Sequence, residues 1–243
     1  MSTVVTIASI YPTLLGTYGD GGNVRALQHI AGLHGIEVDV ITVDPGQTIP
    51  ATADIYVLGG GEDTAQSAAA AALHASGALA EGVKNGAAVL AICAGYQILG
   101  HTFLDAEGKP SQGLGLLDIT TDRLAQRAVG ELVAIPSEFA PAGLTEAFTG
   151  YENHGGHTHL GSDARPLATV SHGVGNGDGT EGAISGRVVG TYLHGPCLVR
   201  NPRLAEQLLS WAVDRDLDHI VEAEVEALRQ ERFSFVAKNE APR

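Results

Sequence analysis

The chain has 243 residues and a formal net charge of −14 at pH 7, from 14 Lys and Arg against 28 Asp and Glu. This acidic balance excludes proteins that bind nucleic acid or an anionic membrane surface through a basic face, because Lys and Arg supply most of that affinity. The chain has two cysteines, no apolar run near the ~18 residues of a membrane-spanning helix and no signal-peptide pattern at its start, so we expect a cytoplasmic protein without membrane insertion or a disulfide framework.

Short apolar runs alternate with helical segments through the first hundred residues. The pattern predicts strands at 4–10, 37–42, 54–58 and 87–92 and helices at 23–34 and 64–84, the second with a break near Ser76 and Gly77. Strands that alternate with helices pair in parallel through right-handed crossovers. The predicted fold class is therefore α/β, with an open and mostly parallel sheet flanked by helices.

After Gly115, short runs of Val, Ile and Thr recur between glycine-rich turns. They predict strands at 116–121, 129–135, 168–174, 182–185 and 188–192, which we interpret as an antiparallel extension of the same sheet. No repeat or long linker interrupts the chain. Residues 1–243 are therefore predicted to form a single domain.

The C-terminal helices are predicted within about residues 202–232. Asn201 and Pro202 suit the N-cap and the first position of one helix. Its buried stripe would contain Leu204, Leu208 and Trp211. A charged last helix is predicted at about 217–232.

Cys93 stands where the predicted strand 87–92 ends and a helix-compatible segment, 94–99, begins. This is the layout of a nucleophile elbow, in which a tight strand-to-helix turn presents the side chain. The helix N-terminus there lowers the pKa of a thiol and directs backbone N–H groups at a developing oxyanion. The alternative is a buried core cysteine, which is a common fate of a free thiol.

A cysteine nucleophile needs a histidine that accepts its proton and returns it to the leaving group. Among ten histidines, His194 follows the apolar run 188–193 and precedes Gly195, so it also lies at the end of a predicted strand. If both strands are parallel members of one sheet, Cys93 and His194 emerge at its carboxyl edge, where open α/β sheets bind ligands. Cys197 lacks the elbow context, and we interpret it as structural.

Five short segments carry a resemblance to a known family. They are 18–23 (YGDGGN), 91–97 (AICAGYQ), 126–131 (QRAVGE), 150–154 (GYENH) and 192–196 (YLHGP). The segments around Cys93 and His194 resemble class I glutamine amidotransferases, in the branch similar to cobyric acid synthase. All five, in their order and spacing, resemble the glutaminase subunits called GatD. The resemblance extends from Tyr18 to about Asn201 and implies hydrolysis of glutamine.

The resemblance also implies the reaction chemistry of the matching residues. Cys93 would attack the side-chain amide carbon of glutamine and form a γ-glutamyl thioester. His194 would protonate the departing ammonia and then activate the water that releases glutamate. The turn 59–61 would bring a backbone N–H, that of Gly60, beside the N–H of Ala94 as an oxyanion hole. Its alternative meaning is a plain tight turn.

Two polar residues are implied as substrate contacts. Arg127 would hold the free α-carboxylate of glutamine, which a guanidinium grips through two hydrogen bonds; the alternative is an exposed surface arginine. Gln97 is the second candidate, with a helix-surface or capping role as its alternative.

The sequence departs from the family pattern beside the catalytic histidine. Most class I amidotransferases have a glutamate two residues after that histidine to orient it, whereas this chain has Pro196. The departure favours a Cys–His dyad, or a third group supplied by Glu152 or Asn153.

The chain contains no nucleotide-binding signature, so an ATP-dependent step would belong to another polypeptide. The resemblance implies a heterodimer with a MurT-type ligase, which would hold ATP and Mg²⁺ and use the ammonia to amidate the D-glutamate of the peptidoglycan precursor lipid II. The alternatives are a glutaminase subunit for another amidoligase of the cobyric acid synthase type, a stand-alone cysteine hydrolase and a non-catalytic subunit that keeps the fold. The presence of both Cys93 and His194 disfavours the last.

Two further motifs have weaker functional interpretations. His154, His157 and His159 have spacings that can converge on zinc, but no nearby Cys or Asp completes a ligand set, so no metal site is predicted. The turn 19–22 precedes a helix as a phosphate-binding loop would, but it lacks the Lys-Ser/Thr of a P-loop, and a helix-capping turn is the preferred interpretation.

Overall fold

The computed structural model describes residues 4–17 and 19–239. Its elements in chain order are β1 (Val4–Ile10), α1 (Gly21–Leu33), β2 (Glu37–Val43), β3 (Ile55–Leu58), α2 (Asp63–Ser76), α3 (Ala78–Lys84), β4 (Ala88–Ile92), α4 (Ala94–Leu99), β5 (Thr102–Leu104), β6 (Pro110–Gln112), β7 (Ile119–Pro136), β8 (Phe148–Leu160), β9 (Ala168–His172), β10 (Thr180–Glu181), β11 (Ala183–Ser185), β12 (Val188–Thr191), α5 (Cys197–Arg200), α6 (Pro202–Val213) and α7 (Ala223–Asn239). Tyr18, the first residue of one family-like segment, lies outside the described residues.

The first sheet has the strand order β11-β12-β4-β3-β1-β2, and all its neighbours pair in parallel except β11 with β12. Every residue of β3, β4 and β12 is buried, as expected for inner strands of a parallel sheet. The parallel pairing brings the carboxyl ends of β1, β3, β4 and β12 to one edge. The predicted α/β class is confirmed, and so is the helix break, at Gly77, whose φ is 65°.

A second sheet has the order β10-β9-β7-β5-β6, with β8 antiparallel to β7. The second half of the chain therefore extends the first sheet only through β11 and β12, and the prediction that all of its strands do so is wrong. The two predicted strands 116–121 and 129–135 are also corrected, because β7 is one strand of 18 residues. Its register with β8 shifts between Arg123 and Ala128, and the polar residues of this bulge interrupt the apolar pattern.

The C-terminal helices depart from prediction in two respects. Asn201 precedes α6, but its side chain makes no capping bond; its Nδ2 donates to the carbonyls of Thr149 and Cys197 at 2.9 and 2.8 Å. The last helix begins at Ala223 rather than at about 217. Side chains of α6 accept the N–H groups of this segment instead, as Glu206 does from Ile220 at 3.0 Å.

Strand β8 connects the second sheet to the first. Tyr151 and His194 form an isolated antiparallel bridge, in which each N–H donates to the other's carbonyl, at 3.1 and 2.8 Å. The bridge fixes the backbone of His194 just beyond β12. Within residues 4–17 and 19–239, no helix has the length and apolar character required to span a bilayer.

Candidate active site

Cys93 lies in the tight turn between β4 and α4, with a φ of 50°. Positive φ is strained for a residue with a side chain, and such strain concentrates at functional sites. Gly95, in the first turn of α4, must lack a side chain, because a Cβ there would lie 2.9 Å from the carbonyl oxygen of Gly59. Ala94 begins α4, so its N–H belongs to the first turn, where N–H groups have no partner within the helix.

His194 and Cys93 meet around Gly60, in the middle of the turn after β3. A Cβ on Gly60 would lie 2.8 Å from Cε1 of His194 and 3.4 Å from Cβ of Cys93. Only a glycine leaves room for the imidazole there. The structure therefore brings together the two residues that the sequence placed at separate strand ends, and His194 is only 3% exposed.

The sequence analysis missed Asp20, which lies between the end of β1 and α1. Its Oδ1 is 3.2 Å from Nδ1 of His194, and its Oδ2 accepts the Gly60 N–H at 2.7 Å. Asp20 is the N-cap residue of α1, in agreement with the helix-capping interpretation of the turn 19–22, but its side chain makes no capping bond. The available signal was an aspartate in a glycine-rich turn at a strand end, at the same sheet edge as Cys93.

The residues predicted to orient His194 contact other groups. Glu152 accepts the N–H groups of Val174 and Gly175 at 2.8 and 2.9 Å. Asn153 accepts a hydrogen bond from Nε of Arg127 at 2.7 Å. The carboxylate beside His194 is that of Asp20. The two residues are far apart in the sequence, but the parallel sheet brings both to the same edge.

The electrostatics of the site favour a charged imidazole. Burial opposes the charged form of His194, but its hydrogen bond to Asp20 and its hydrogen bond and charge interaction with Cys93 outweigh burial and raise the pKa of His194 to about 10. An imidazolium between a carboxylate and a thiolate is the state in which a Cys–His pair attacks and then donates a proton.

The oxyanion-hole prediction is corrected at Gly60. Its N–H donates to Asp20, so it is committed to that carboxylate. Gly61 is the glycine of this turn that lines the cavity beside Cys93, as does Ala94. The N–H groups of these two lining residues are the remaining candidates for an oxyanion hole at Cys93.

A cavity of about 350 Å³ opens over Cys93, a volume suited to a small molecule. Arg127 reaches it from the bulge of β7, and its Nη2 also donates to the Asn153 carbonyl at 3.3 Å. These bonds hold the exposed guanidinium at the cavity rim. The predicted Arg127 and Cys93 therefore line one cavity.

Gln97 also lines this cavity, but its amide belongs to a buried network. Its Oε1 accepts from Nε2 of Gln66 at 2.8 Å, and its Nε2 donates to the hydroxyl of Tyr192 at 3.1 Å. That hydroxyl lies 2.7 Å from Oγ1 of Thr158. Gln97 thus supports the cavity wall from within the protein.

The three clustered histidines divide between the two faces of β8. His154 is buried and stacks on Tyr192 with ring centroids 3.6 Å apart, while His157 and His159 lie on the opposite face, because side chains alternate along a strand. In the part of the chain that the structure describes, no group of three or more His, Cys, Asp or Glu side chains is arranged to hold a metal. Cys197 is a fully buried free thiol in α5.

Residues 6–202 match the family model of the CobB/CobQ-like glutamine amidotransferase domain. The chain is 36% identical over 216 residues to a Streptococcus pneumoniae protein named lipid II isoglutaminyl synthase (glutamine-hydrolyzing) subunit GatD, covering 87% of this chain and 81% of that one. The Staphylococcus aureus protein of the same name is 34% identical over 215 residues, 87% of this chain and 85% of its own. A cobyric acid synthase of Sphingopyxis alaskensis is 38% identical over 184 residues, 71% of this chain but 34% of its own.

Solved structures share the fold. A crystal structure of a glutamine amidotransferase matches with a TM-score of 0.57 at 21% identity, covering 85% of this chain and 98% of that chain. A glutamine amidotransferase from Thermotoga maritima matches with a TM-score of 0.56 at 16% identity, covering 97% of this chain and 90% of that chain. The α/β architecture around the sheet edge is therefore that of known glutamine amidotransferases.

Proposed function

The chain belongs to the CobB/CobQ-like glutamine amidotransferase family, and from this premise we propose that it is the glutamine-hydrolysing subunit of a lipid II isoglutaminyl synthase. The observation that carries the proposal is the meeting of Cys93 and His194 around Gly60. The relatives named GatD favour this enzyme over cobyric acid synthase, since the chain spans 81% of the pneumococcal GatD but 34% of the cobyric acid synthase.

The proposed reaction begins with attack by the Cys93 thiolate on the side-chain amide carbon of glutamine. The resulting oxyanion receives hydrogen bonds from backbone N–H groups at Ala94 and the turn 59–61, a contribution of about 3 to 4 kcal/mol for each donor. The His194 imidazolium protonates the leaving nitrogen, the C–N bond breaks, and ammonia departs from a γ-glutamyl thioester. Neutral His194 then takes a proton from water, which attacks the thioester and releases glutamate and the thiol.

Arg127 is proposed to bind the α-carboxylate of glutamine. Its guanidinium is already oriented at the cavity rim by Asn153, so little side-chain entropy is lost when a carboxylate binds. Gln97, held by Gln66 and Tyr192, is proposed to shape the wall beside the substrate. Substrate specificity would then come from a cation that is held at the rim of the cavity that contains Cys93.

The ammonia is proposed to pass to a partner ligase of the MurT type in a heterodimer. A chain with a glutaminase site and no nucleotide-binding motif makes ammonia but does not activate the carboxylate that accepts it, so ATP and Mg²⁺ are assigned to the partner. Ammonia protonates in water to ammonium, which is not a nucleophile, and direct transfer avoids that loss. The shared cytoplasmic supply of glutamine and ATP places the complex in the cytoplasm in this proposal.

The test is amidation of lipid II by the complex of this chain with the ligase that co-purifies with it. The wild-type complex should use glutamine, the Cys93→Ala complex should fail on glutamine, and a high concentration of ammonium salt at mildly alkaline pH should restore amidation by that variant. Cys197→Ser is the matched control and should keep amidation on glutamine. Failure of ammonia to rescue Cys93→Ala, or amidation of lipid II by this chain alone, would contradict the proposal.

A further inference from the structure

We infer that Asp20 is a positioning residue that holds His194 and the turn 59–61 in one geometry, so that the proton donor and the oxyanion donors are set by a single carboxylate. The inference deepens the proposed function and rests on it. Asp20 does not line the cavity over Cys93, and it would act through the residues that do.

The two oxygens of Asp20 bind different segments. Oδ1 faces Nδ1 of His194 at 3.2 Å, beyond the end of β12, and Oδ2 accepts the Gly60 N–H at 2.7 Å, beyond the end of β3. The side chain itself comes from the segment beyond β1. A single carboxylate therefore connects the ends of β1, β3 and β12, three strands of the parallel sheet, at the edge where Cys93 lies.

The contact with His194 has a chemical consequence. A carboxylate at Nδ1 keeps the proton on that nitrogen and presents Nε2 to the thiol, and it stabilises the imidazolium that the reaction requires. Pro196 occupies the position where most class I amidotransferases have an orienting glutamate. Asp20, which follows β1, thus supplies the carboxylate that orients His194, in place of the glutamate that is absent after this histidine.

The bond to Gly60 has a second consequence. The Gly60 N–H points back to Asp20, so the peptide is fixed and the next residue, Gly61, lines the cavity. A Cβ on Gly59 would lie 2.9 Å from Cβ of Asp20 and 1.9 Å from the carbonyl oxygen of Leu15. The turn is therefore packed directly against the segment that bears Asp20, and loss of the carboxylate would free both the turn and the imidazole.

The burial of Asp20 makes its two partners necessary. The residue is 1% exposed, and an ionised carboxylate at such a position is maintained only where hydrogen bonds and an opposite charge replace water. Two further titratable groups interact with this pair: Cys93, from the end of β4, and Cys197, from α5. The ion pair with Asp20 makes His194 its counter-ion.

Asp54 provides a matched comparison at the other end of the sheet. Its Oδ2 accepts the Thr6 N–H at 2.7 Å, the same length as the Asp20 bond to Gly60. Like Asp20, Asp54 holds a backbone N–H through its carboxylate, but it lies at the opposite edge of the sheet from Cys93. A substitution of Asp54 reports the cost of losing such a bond without the effect on His194.

The experiment compares Asp20→Asn, Asp20→Ala and Asp54→Asn with the wild-type protein, assayed alone and with the ligase that co-purifies with it. Ammonia release from glutamine gives kcat and KM across pH. The rate of alkylation of Cys93 by iodoacetamide across pH reports the state of the Cys93–His194 pair without turnover. Thermal unfolding reports the stability of each variant. Both Asp20 variants should lose roughly 10²-fold or more in kcat with little change in KM. The alkaline limit of activity should move to lower pH by about one unit or more in Asp20→Asn. The pH at which alkylation of Cys93 sets in should rise, because a less stable imidazolium favours the thiolate less.

Asp54→Asn should unfold at a lower temperature but keep the wild-type kcat and alkaline limit. The inference is overturned if Asp20→Asn keeps the wild-type kcat and the wild-type alkaline limit of activity. It is also overturned if Asp54→Asn lowers kcat and moves the alkaline limit as much as Asp20→Asn does. Absence of ammonia release by the wild-type protein in every preparation would contradict the proposed function instead. The alkylation profiles would still decide the role of Asp20 in that case.

Discussion

Two clusters near the end of β12 each contain a cysteine and a carboxylic acid, but only one of them contains a histidine. The first, which we call the open cluster, is Cys93, His194 and Asp20 beside the cavity. The second, the sealed cluster, is Cys197, Glu181 and Tyr192, all fully buried. Burial and then the charge of Glu181 raise the pKa of Cys197, while burial raises the pKa of Glu181 to about 7. The sealed thiol therefore stays protonated at neutral pH.

The open cluster differs because its imidazole lies between two acidic side chains, those of Asp20 and Cys93. His194 is almost as buried as Glu181, yet its pKa is raised to about 10, since Asp20 and Cys93 outweigh the burial that opposes its charge. Burial alone makes a thiol inert, and a paired base beside a cavity makes it a nucleophile.

The largest effect is expected from His194→Ala. Removal of the imidazole leaves Cys93 as a thiol without a base and the leaving nitrogen without a proton donor, so kcat for ammonia release should fall by roughly two to four orders of magnitude. In the wild-type protein, a donor with a pKa of about 10 keeps its proton through neutral pH, and activity should decline only as pH rises toward that value. A decline near the ordinary histidine pKa of about 6.5 would contradict the ion pair.

Arg127→Ala should weaken glutamine binding. Loss of a charged hydrogen-bonding group at the rim removes binding of the α-carboxylate, so KM should rise roughly 10- to 100-fold with a smaller change in kcat. Arg127→Lys keeps the charge but not the paired N–H groups, and its KM should lie between those of Arg127→Ala and the wild type. An unchanged KM in both variants would contradict the role of Arg127 in glutamine binding and favour the alternative of an exposed surface arginine.

Glu181→Gln should change stability and not catalysis. The folded pKa of about 7 lies above the unfolded value of 4.5, so the native state holds a proton that the unfolded state releases. Stability is then greatest below pH 4.5 and falls by on the order of 3 kcal/mol as pH rises to about 7. Denaturant unfolding across pH should show that Glu181→Gln flattens this fall, while ammonia release stays at the wild-type level. A parallel pH dependence in both proteins would contradict the assignment.

The open cluster shows how far the sequence predicts a site. Cys93 and His194 were identified from local patterns, because each follows an apolar strand at a turn. Asp20 was missed, since its partner lies 174 residues away and only the parallel strand order joins them. Gly60 was assigned to the oxyanion hole for the same reason, as nothing local indicates that its N–H is bound by Asp20.

The second sheet was less predictable than the first. Strands β1, β3 and β4 are continuous apolar runs, which local hydrophobicity detects. Strand β8 contains Gly, His and Asn, and it pairs with β7 and bridges to His194 through backbone groups. Backbone pairing is insensitive to side-chain type, so no pattern in the sequence predicted that strand.

Cys197→Ser should have the smallest effect. The thiol is fully buried and 3.8 Å from Nδ2 of Asn201, where a hydroxyl of similar size accepts the same contact. Ammonia release should remain within about twofold of wild type, since the residue has no base beside it, and a modest loss of thermal stability is expected. If the variant folds but loses activity, the reactive cysteine would be Cys197, in the sealed cluster, and the assignment to Cys93 would be contradicted.

The most direct test of the central claim is to map the adduct formed by diazo-oxo-norleucine, a glutamine-mimicking electrophile, by peptide mass spectrometry. Ammonia release is measured on the same samples. The account predicts one adduct, on the peptide that contains Cys93, formed in step with the loss of ammonia release and slowed in His194→Ala, while Cys197 remains unmodified. An adduct on Cys197, or inactivation that leaves Cys93 unmodified, would contradict the assignment of Cys93 as the nucleophile.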